Sequence, residues 1–274
     1  MIQQLPEFPS LTDEIITNTN NHLSFSIEST INFTQFTTTM TSAALAGSTG
    51  LVGSEILKTL LAHPSITTVH AYTRRDLPNS TSSNKLHALQ STDTATWPSL
   101  YPTAPPAPLF LSALGTTRAA AGGPEAQRAI DHTLNVALAR AAKDAGATTY
   151  VLISSGSASS KSAVPYSKMK GETEDAVRAL GFAHTVILRP GLIVGARSES
   201  RPAEAVFRGI ARALGKVSNV LKDSWAQDAE VIARAAVRAG LDCVEGKREE
   251  GVWVLEQGDI IRLGRTEWKV EKAK

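Results

Sequence analysis

The run Ala43–Gly53, Ala-Ala-Leu-Ala-Gly-Ser-Thr-Gly-Leu-Val-Gly, restricts this chain to few possible folds. A short apolar run ends at Gly47, Gly50 and Gly53 succeed it at three-residue intervals, and an amphipathic segment, Ser54–Ala62, begins at once. That is the order strand, glycine turn, helix. In such a unit the first glycine lets the chain turn sharply off the strand, and the second keeps a Cβ from standing between backbone and a pyrophosphate. The third lets helix and strand pack closely. Gly47, Ser48, Thr49, Gly50, Leu51, Val52 and Gly53 would then offer backbone N–H groups to phosphates at the positive end of the helix. The spacing alone fits a plain tight turn equally well, so the choice rests on residues further along the chain.

A second strand is expected over 67–72, and Arg74 and Arg75 come directly after it, about twenty residues past the glycines. An acidic residue at this place holds a ribose 2′-OH, whereas arginine accommodates a 2′-phosphate, to which its planar fork is matched. The pair favours NADP(H) as the cofactor, with Asp76 as a competing partner for either guanidinium. Residues 78–84 and 91–108, rich in Pro, Ser, Thr and Asn, read as loops around a short strand at 85–90. Asp93 is placed either to reach an adenine amino group or to cap its loop.

The run 109–114 is a buried strand that leads into Gly115-Thr-Thr-Arg118. A glycine there lets a cofactor approach the backbone, and Leu114, Gly115, Thr116 and Thr117 are expected to line it, the two hydroxyls donating to phosphate or ribose. Apolar residues at 130, 134, 137, 138 and 141 predict a helix closed by Gly146. Two further strands are expected, at 150–155, ending in Ser154 and Ser155, and at 185–188, ending in Arg189-Pro190-Gly191. Alternating strands and helices imply an α/β fold, a doubly wound parallel sheet of Rossmann type. Such sheets bind ligands at the carboxyl ends of their strands, where the glycine turn, 115–118, Ser154, Ser155, Pro190 and Gly191 all fall. Residues 41–265 read as one nucleotide-binding domain, whose part 196–265, with helices at 203–214 and 227–239 and a strand at 252–255, completes the domain and covers the substrate.

Residues 1–40 are rich in Thr, Asn, Ser and Gln, and no Lys or Arg occurs before Lys58. This resembles neither an Arg-rich presequence nor a secretory signal, and it reads as a disordered extension, with Met40 as an alternative start. Residues 266–274 form a basic tail. A net charge of only +2 argues against nucleic acid as a partner. The lone Cys243 excludes an internal disulfide and a cysteine metal cluster, and no metal site is expected. No run of about eighteen apolar residues suggests a membrane span.

The chemistry is expected from Tyr166-Ser-Lys-Met-Lys170, where four-residue spacing on a helix puts Tyr166 and Lys170 on one face. A neighbouring ammonium stabilises a phenolate and would bring Tyr166 from about 10 towards neutrality, as a general acid/base needs. Ser155 is placed to hydrogen-bond a substrate carbonyl, and Asn135 to hold a water in a proton relay from Lys170. The bland alternative is a surface helix with Lys170 paired to Glu174, and serines that merely cap a strand. A serine hydrolase is excluded, because Ser155 and Ser157 lack the Gly-x-Ser-x-Gly elbow.

Taken together, the glycine turn, the Arg pair, Gly-Thr-Thr-Arg, Asn135, the two serines, Tyr-x-x-x-Lys and Arg-Pro-Gly resemble the short-chain dehydrogenase/reductase superfamily, in its atypical, extended-like branch. Leu-Gly-Thr-Thr-Arg at 114–118 and Arg-Pro-Gly at 189–191 are similar to the group that contains the mammalian Tat-interacting oxidoreductase and its fungal relatives at the mitochondrial outer membrane. The resemblance implies a domain binding NADP(H), with Ser155, Tyr166 and Lys170 at the catalytic positions, Asn135 at the relay position and Ser154 as the alternative serine. It also implies the cytosolic face of that membrane as location, and a homodimer or other protein partner. Neither the extension nor the tail (Arg262, Arg265, Lys269, Lys272, Lys274) makes an anchor, so a peripheral attachment is expected. Two functions remain in play. One is an NADP(H)-dependent oxidoreductase acting on an unidentified carbonyl or alcohol; the other is an NADPH-binding regulator or scaffold without turnover.

Overall fold

The computed structural model of the chain describes residues 40–77, 83–194 and 226–269. The expected extension before Met40, the helix expected at 203–214 and the end of the basic tail lie outside those residues. The strands are β1 (Thr41–Ala46), β2 (Ile66–Thr73), β3 (Leu86–Gln90), β4 (Leu109–Ser112), β5 (Thr149–Ile153), β6 (His184–Leu188), β7 (Leu192–Val194), β8 (Ala226–Asp228) and β9 (Gly251–Leu255). The helices are α1 (Leu51–Ala62), α2 (Arg118–Ala121), α3 (Pro124–Arg128), α4 (Asn135–Ala145), α5 (Pro165–Arg178), α6 (Ala229–Val244) and α7 (Gln257–Ile261). Seven strands make one parallel sheet in the order β3-β2-β1-β4-β5-β6-β9.

The sheet is covered on both faces, which is why its central strands read as unbroken apolar runs rather than alternating ones. Ala43 and Leu45 of β1 face a core shared with α1 and α6, while Ala44 and Ala46 face the other core, with Leu138, Ala139 and Ala142 of α4. On that second face the small side chains of β1 leave room for large ones on its neighbours. Tyr72 of β2 and Phe110 of β4 meet above it with ring centroids 6.4 Å apart. Trp97 stacks on Tyr72 at 5.3 Å, and Tyr150 contacts both Phe110 and Phe182, so one aromatic row crosses this face of the sheet. Trp97 comes from a 3₁₀ turn, Thr94–Leu100, inside the stretch expected to be loop.

The chain runs outward from β1 to β2 and β3, then returns to place β4 on the other side of β1. That reversal opens a crevice at the carboxyl ends of β1 and β4, where ligands of such sheets bind. One difference from expectation concerns the C-terminal part. Residues 226–228, whose last two were expected to begin a helix, pair in parallel with Leu192–Val194 as a separate two-stranded sheet. Gln227 is buried there and donates through Nε2 to the Gln257 carbonyl at 2.9 Å. Twelve of the sixteen residues of α6 are buried, and β9 pairs with β6, so residues 229–255 complete the sheet and its cover.

Candidate active site

The glycine turn forms the floor of the crevice. Gly47 has φ +83, and a Cβ on it would sit 2.6 Å from the Ala113 carbonyl carbon and oxygen at the end of β4. A Cβ on Gly53 would stand 1.9 Å from the Gly47 carbonyl oxygen, so the third glycine packs the helix against the turn itself. At Gly50 the same construction finds one neighbour, the Gly47 oxygen at 3.2 Å, which leaves its outer side open. Gly50 is the N-cap of α1 and offers no side chain to it. The first N–H groups of this helix have no intrahelical acceptor, so together with the helix dipole they form an anion cradle. The cradle that a Cβ would fill, and these uncapped amides, fit a pyrophosphate. Thr49 is exposed beside them, whereas the Ser48 hydroxyl turns inward and donates to the Tyr72 carbonyl at 2.7 Å. Ser48 thereby ties the turn to the end of β2, just before Arg74 and Arg75, both exposed. Asp93 lies in the next loop, exposed, and caps its 3₁₀ turn by accepting the Ala95 N–H at 2.9 Å.

After β4 comes the loop Leu114–Thr117. Thr117 caps α2, accepting the Ala120 N–H, and the Thr116 N–H is given to Asp131 Oδ1 at 2.7 Å. Asp131 lies in a π-helical turn, Ala129–Leu134, that leads into α4. It is 1% exposed, and its Oδ2 stands 3.7 Å from Nζ of Lys170, itself 5% exposed. Gly115 lies directly over this pair: a Cβ on it would be 3.7 Å from Oδ2 and 3.8 Å from Nζ. Burial works against both charges, raising Asp131 above the ordinary carboxylate range and lowering Lys170 below the ordinary ammonium range, while each charge opposes the other's shift.

Tyr166 and Lys170 share the first two turns of α5, the one partly exposed and the other buried. Tyr166 is 41% exposed at the cleft, while the lysine stem runs inward to Asp131. The expected lowering of the Tyr166 phenol is corrected by this arrangement. Burial of its ring and the Asp131 charge hold it above 10, and only a hydrogen bond with Ser155 pulls the other way. The same bond separates the two serines. Ser155 faces Tyr166, whereas the buried Ser154 hydroxyl donates to Glu174 Oε1 at 2.5 Å. Glu174, 1% exposed, takes two hydrogen bonds from Arg189, at 3.1 and 2.6 Å, and one from Arg178 at 3.3 Å. Glu174 is therefore a strut between α5 and the end of β6 and not the partner of Lys170. Pro190 accepts the Gly156 N–H at 2.8 Å, which brings Pro190 and Gly191 beside the serine loop.

Asn135 does not serve Lys170 through its amide. Its Oδ1 accepts from Ser112 at the end of β4, and its Nδ2 donates to the Asp131 and Ile130 carbonyls. The amide is spent on bracing the π-helical turn. The acid next to the lysine is Asp131, one turn earlier on the same helical face, a residue that the motifs do not include. Its signal in the sequence is an aspartate between Ile130 and Leu134, where the period places a buried face. Among the described residues no group of three or more His, Cys, Asp or Glu could hold a metal, and no helix is long and apolar enough to cross a membrane.

Residues 43–227 match the sequence model of the NAD dependent epimerase/dehydratase family. The chain is 56% identical over 232 residues to "Protein fmp52-1, mitochondrial" of Aspergillus terreus, covering 82% of this chain and 100% of that protein. It is 50% identical over 241 residues to "Protein fmp-52, mitochondrial" of Neurospora crassa, covering 85% of this chain and 99% of that one. Among solved structures, UDP-glucuronic acid 4-epimerase from Bacillus cereus in complex with NAD superposes with a TM-score of 0.57 at 14% identity, over 84% of this chain and 92% of that one. The Bordetella bronchiseptica enzyme WbmH in complex with NAD+ gives 0.57 at 16% identity, over 79% and 75%. At such identities the likeness is one of fold.

Proposed function

We propose an activity on one premise: the chain belongs to the NAD dependent epimerase/dehydratase family. The reading is an NADP(H)-dependent oxidoreductase of the short-chain dehydrogenase type, acting on a carbonyl or alcohol. The observation that carries it is the meeting, at the sheet's switch point, of an uncapped glycine cradle with Tyr166, Ser155 and Lys170. The NAD held by the two structural neighbours points the same way, to a nicotinamide dinucleotide.

The nicotinamide dinucleotide, when bound, supplies or accepts the hydride. The chain's residues handle the rest. The amides of residues 51–53 hold pyrophosphate, the Leu114–Thr117 loop borders the sugar beyond it, and Arg74 or Arg75 takes the 2′-phosphate. Ser155 holds the substrate oxygen by its hydroxyl. In the reducing direction Tyr166 Oη gives its proton to that oxygen, and in the oxidising direction takes it back. Lys170, beneath Gly115, would supply positive charge to a ribose held at that loop.

A second reading, an NADPH-binding regulator without turnover, draws support from Tyr166: its phenol is held above 10 instead of being brought towards neutrality. The relatives' names, which carry a location and no activity, are compatible with either. That naming supports a mitochondrial location, for which we propose peripheral attachment at the outer membrane's cytosolic face, alone or through a protein partner.

Calorimetric titration with NADPH and with NADH, alongside Arg74→Ala and Arg75→Ala, tests the cofactor. Micromolar NADPH binding that weakens in one arginine variant is the expected result; no binding of either nucleotide overturns the oxidoreductase reading. Once a substrate is found, Tyr166→Phe should abolish turnover and leave NADPH binding nearly intact, whereas unchanged turnover removes Tyr166 from the chemistry.

A further inference from the structure

We propose that Asp131 is a positioning residue of this site, joining the Leu114–Thr117 loop to Lys170 and setting the charge that Tyr166 experiences. It rests on the reading of Tyr166 and Lys170 as the proton-handling pair. The two carboxylate oxygens have separate tasks: Oδ1 accepts the Thr116 N–H at 2.7 Å, and Oδ2 faces Lys170 Nζ at 3.7 Å. Its main chain is braced as well, since the Asp131 carbonyl accepts from Asn135 Nδ2 at 3.0 Å and from Thr173 Oγ1 at 3.3 Å. A neutral asparagine would satisfy Thr116 equally well. A carboxylate almost wholly buried is costly, and what it adds over an amide is its charge on the lysine.

The groups around this trio come from three elements. From α5, Glu174 adds negative field at Lys170. From the end of β5, Ser155, whose hydroxyl lies 3.2 Å from that of Ser157, lowers the Tyr166 phenol. Within the π-helical turn His132 bonds Thr173 Oγ1 at 3.0 Å, with Arg128 and Glu172 acting on it from outside. Tyr166 is thus governed by an Asp-Lys-Tyr group. The Asp131 charge raises the phenol, and the same charge supports the Lys170 ammonium against its burial.

The chain's composition makes this measurable without nucleotide or substrate. It has four tyrosines, and Tyr72, Tyr101 and Tyr150 are buried and pushed far above the ordinary value. The first phenolate to appear in the near-ultraviolet spectrum as pH rises is then that of Tyr166, and Tyr166→Phe should remove this step. Asp131→Asn, which keeps an acceptor for Thr116, should move the midpoint down. A purely structural Asp131 predicts no movement in the asparagine variant. An unmoved midpoint in folded Asp131→Asn overturns the proposal. Should that variant not fold, an unmoved midpoint in folded Asp131→Ser does so. Failure of the unmodified chain to bind NADPH would overturn the oxidoreductase reading and leave this titration standing.

Discussion

Gly53 lies so close beneath Gly47 that a Cβ on the first would stand 1.9 Å from the carbonyl oxygen of the second. No side-chain movement can relieve that overlap, because both parties are backbone. The glycine turn is consequently a packing device as well as a cradle, and its three glycines are not equivalent.

Gly53→Ala should destabilise the fold by about 1–3 kcal/mol, the usual cost of overpacking. Gly50→Ala, meeting one oxygen at 3.2 Å, should fold nearly as well while weakening nucleotide binding, since its added methyl stands where phosphate would approach. Thermal unfolding and NADPH titration of the two variants check this. Equal stability losses at both positions would show that the distinction is unreal.

Glu174→Ala should cost about 1–3 kcal/mol, because it removes the acceptor of the buried Ser154 hydroxyl and leaves Arg189 and Arg178 with only their outer partners, Glu256 and Asp175. Urea unfolding measures the loss, and a far smaller one would mean that water satisfies those donors. Nucleotide binding in the surviving folded fraction should change little.

Ser48→Ala separates two roles for one residue. Its hydroxyl is spent on the buried Tyr72 carbonyl, so its loss should cost about 1–3 kcal/mol of stability. NADPH affinity should fall only as far as the backbone N–H of the turn is displaced. An affinity loss with unchanged stability would put the hydroxyl on the cofactor.

Cys243 provides a pH test with a definite sign. Burial pushes its thiol up to about 11 from an ordinary 9, with the neighbouring Asp242 adding to the shift. Between those values the unfolded chain releases the proton and the folded chain keeps it, so this group's stabilising contribution is complete below pH 9 and is lost as pH rises towards 11. Comparing unfolding of the parent and Cys243→Ala across that window should show a shallower decline in the variant. At pH 8 the thiol should resist alkylation until the protein unfolds.

Much of the fold was legible because its signals are local. Apolar runs at 43–46, 109–114 and 150–155, each ending in small or polar residues, mark strands buried on both faces and the rim that their ends share. Glycine at 47, 50 and 53 announces a turn with no room for a Cβ at its first and third positions, and residues 74 and 75 are located past the second strand by simple counting. Less legible were β7 and β8, three residues each, whose pairing depends on partners more than thirty residues apart along the chain.

Tertiary packing alone selected the atom that each polar side chain meets. Sequence spacing put Tyr166 and Lys170 on one helical face, but whether they share an environment depends on where the lysine's long stem runs, and it runs inward to Asp131. Adjacent serines looked interchangeable until the end of β5 turned one to a buried glutamate and the other to Tyr166. The sheet, the glycine cradle and the residues available at its rim were already implied by the order of amino acids, because backbone sterics and burial patterns act over a few residues. The pairing of charges was settled only when strands and helices from distant parts of the chain closed on one another, since a buried charge takes the partner that packing brings to it.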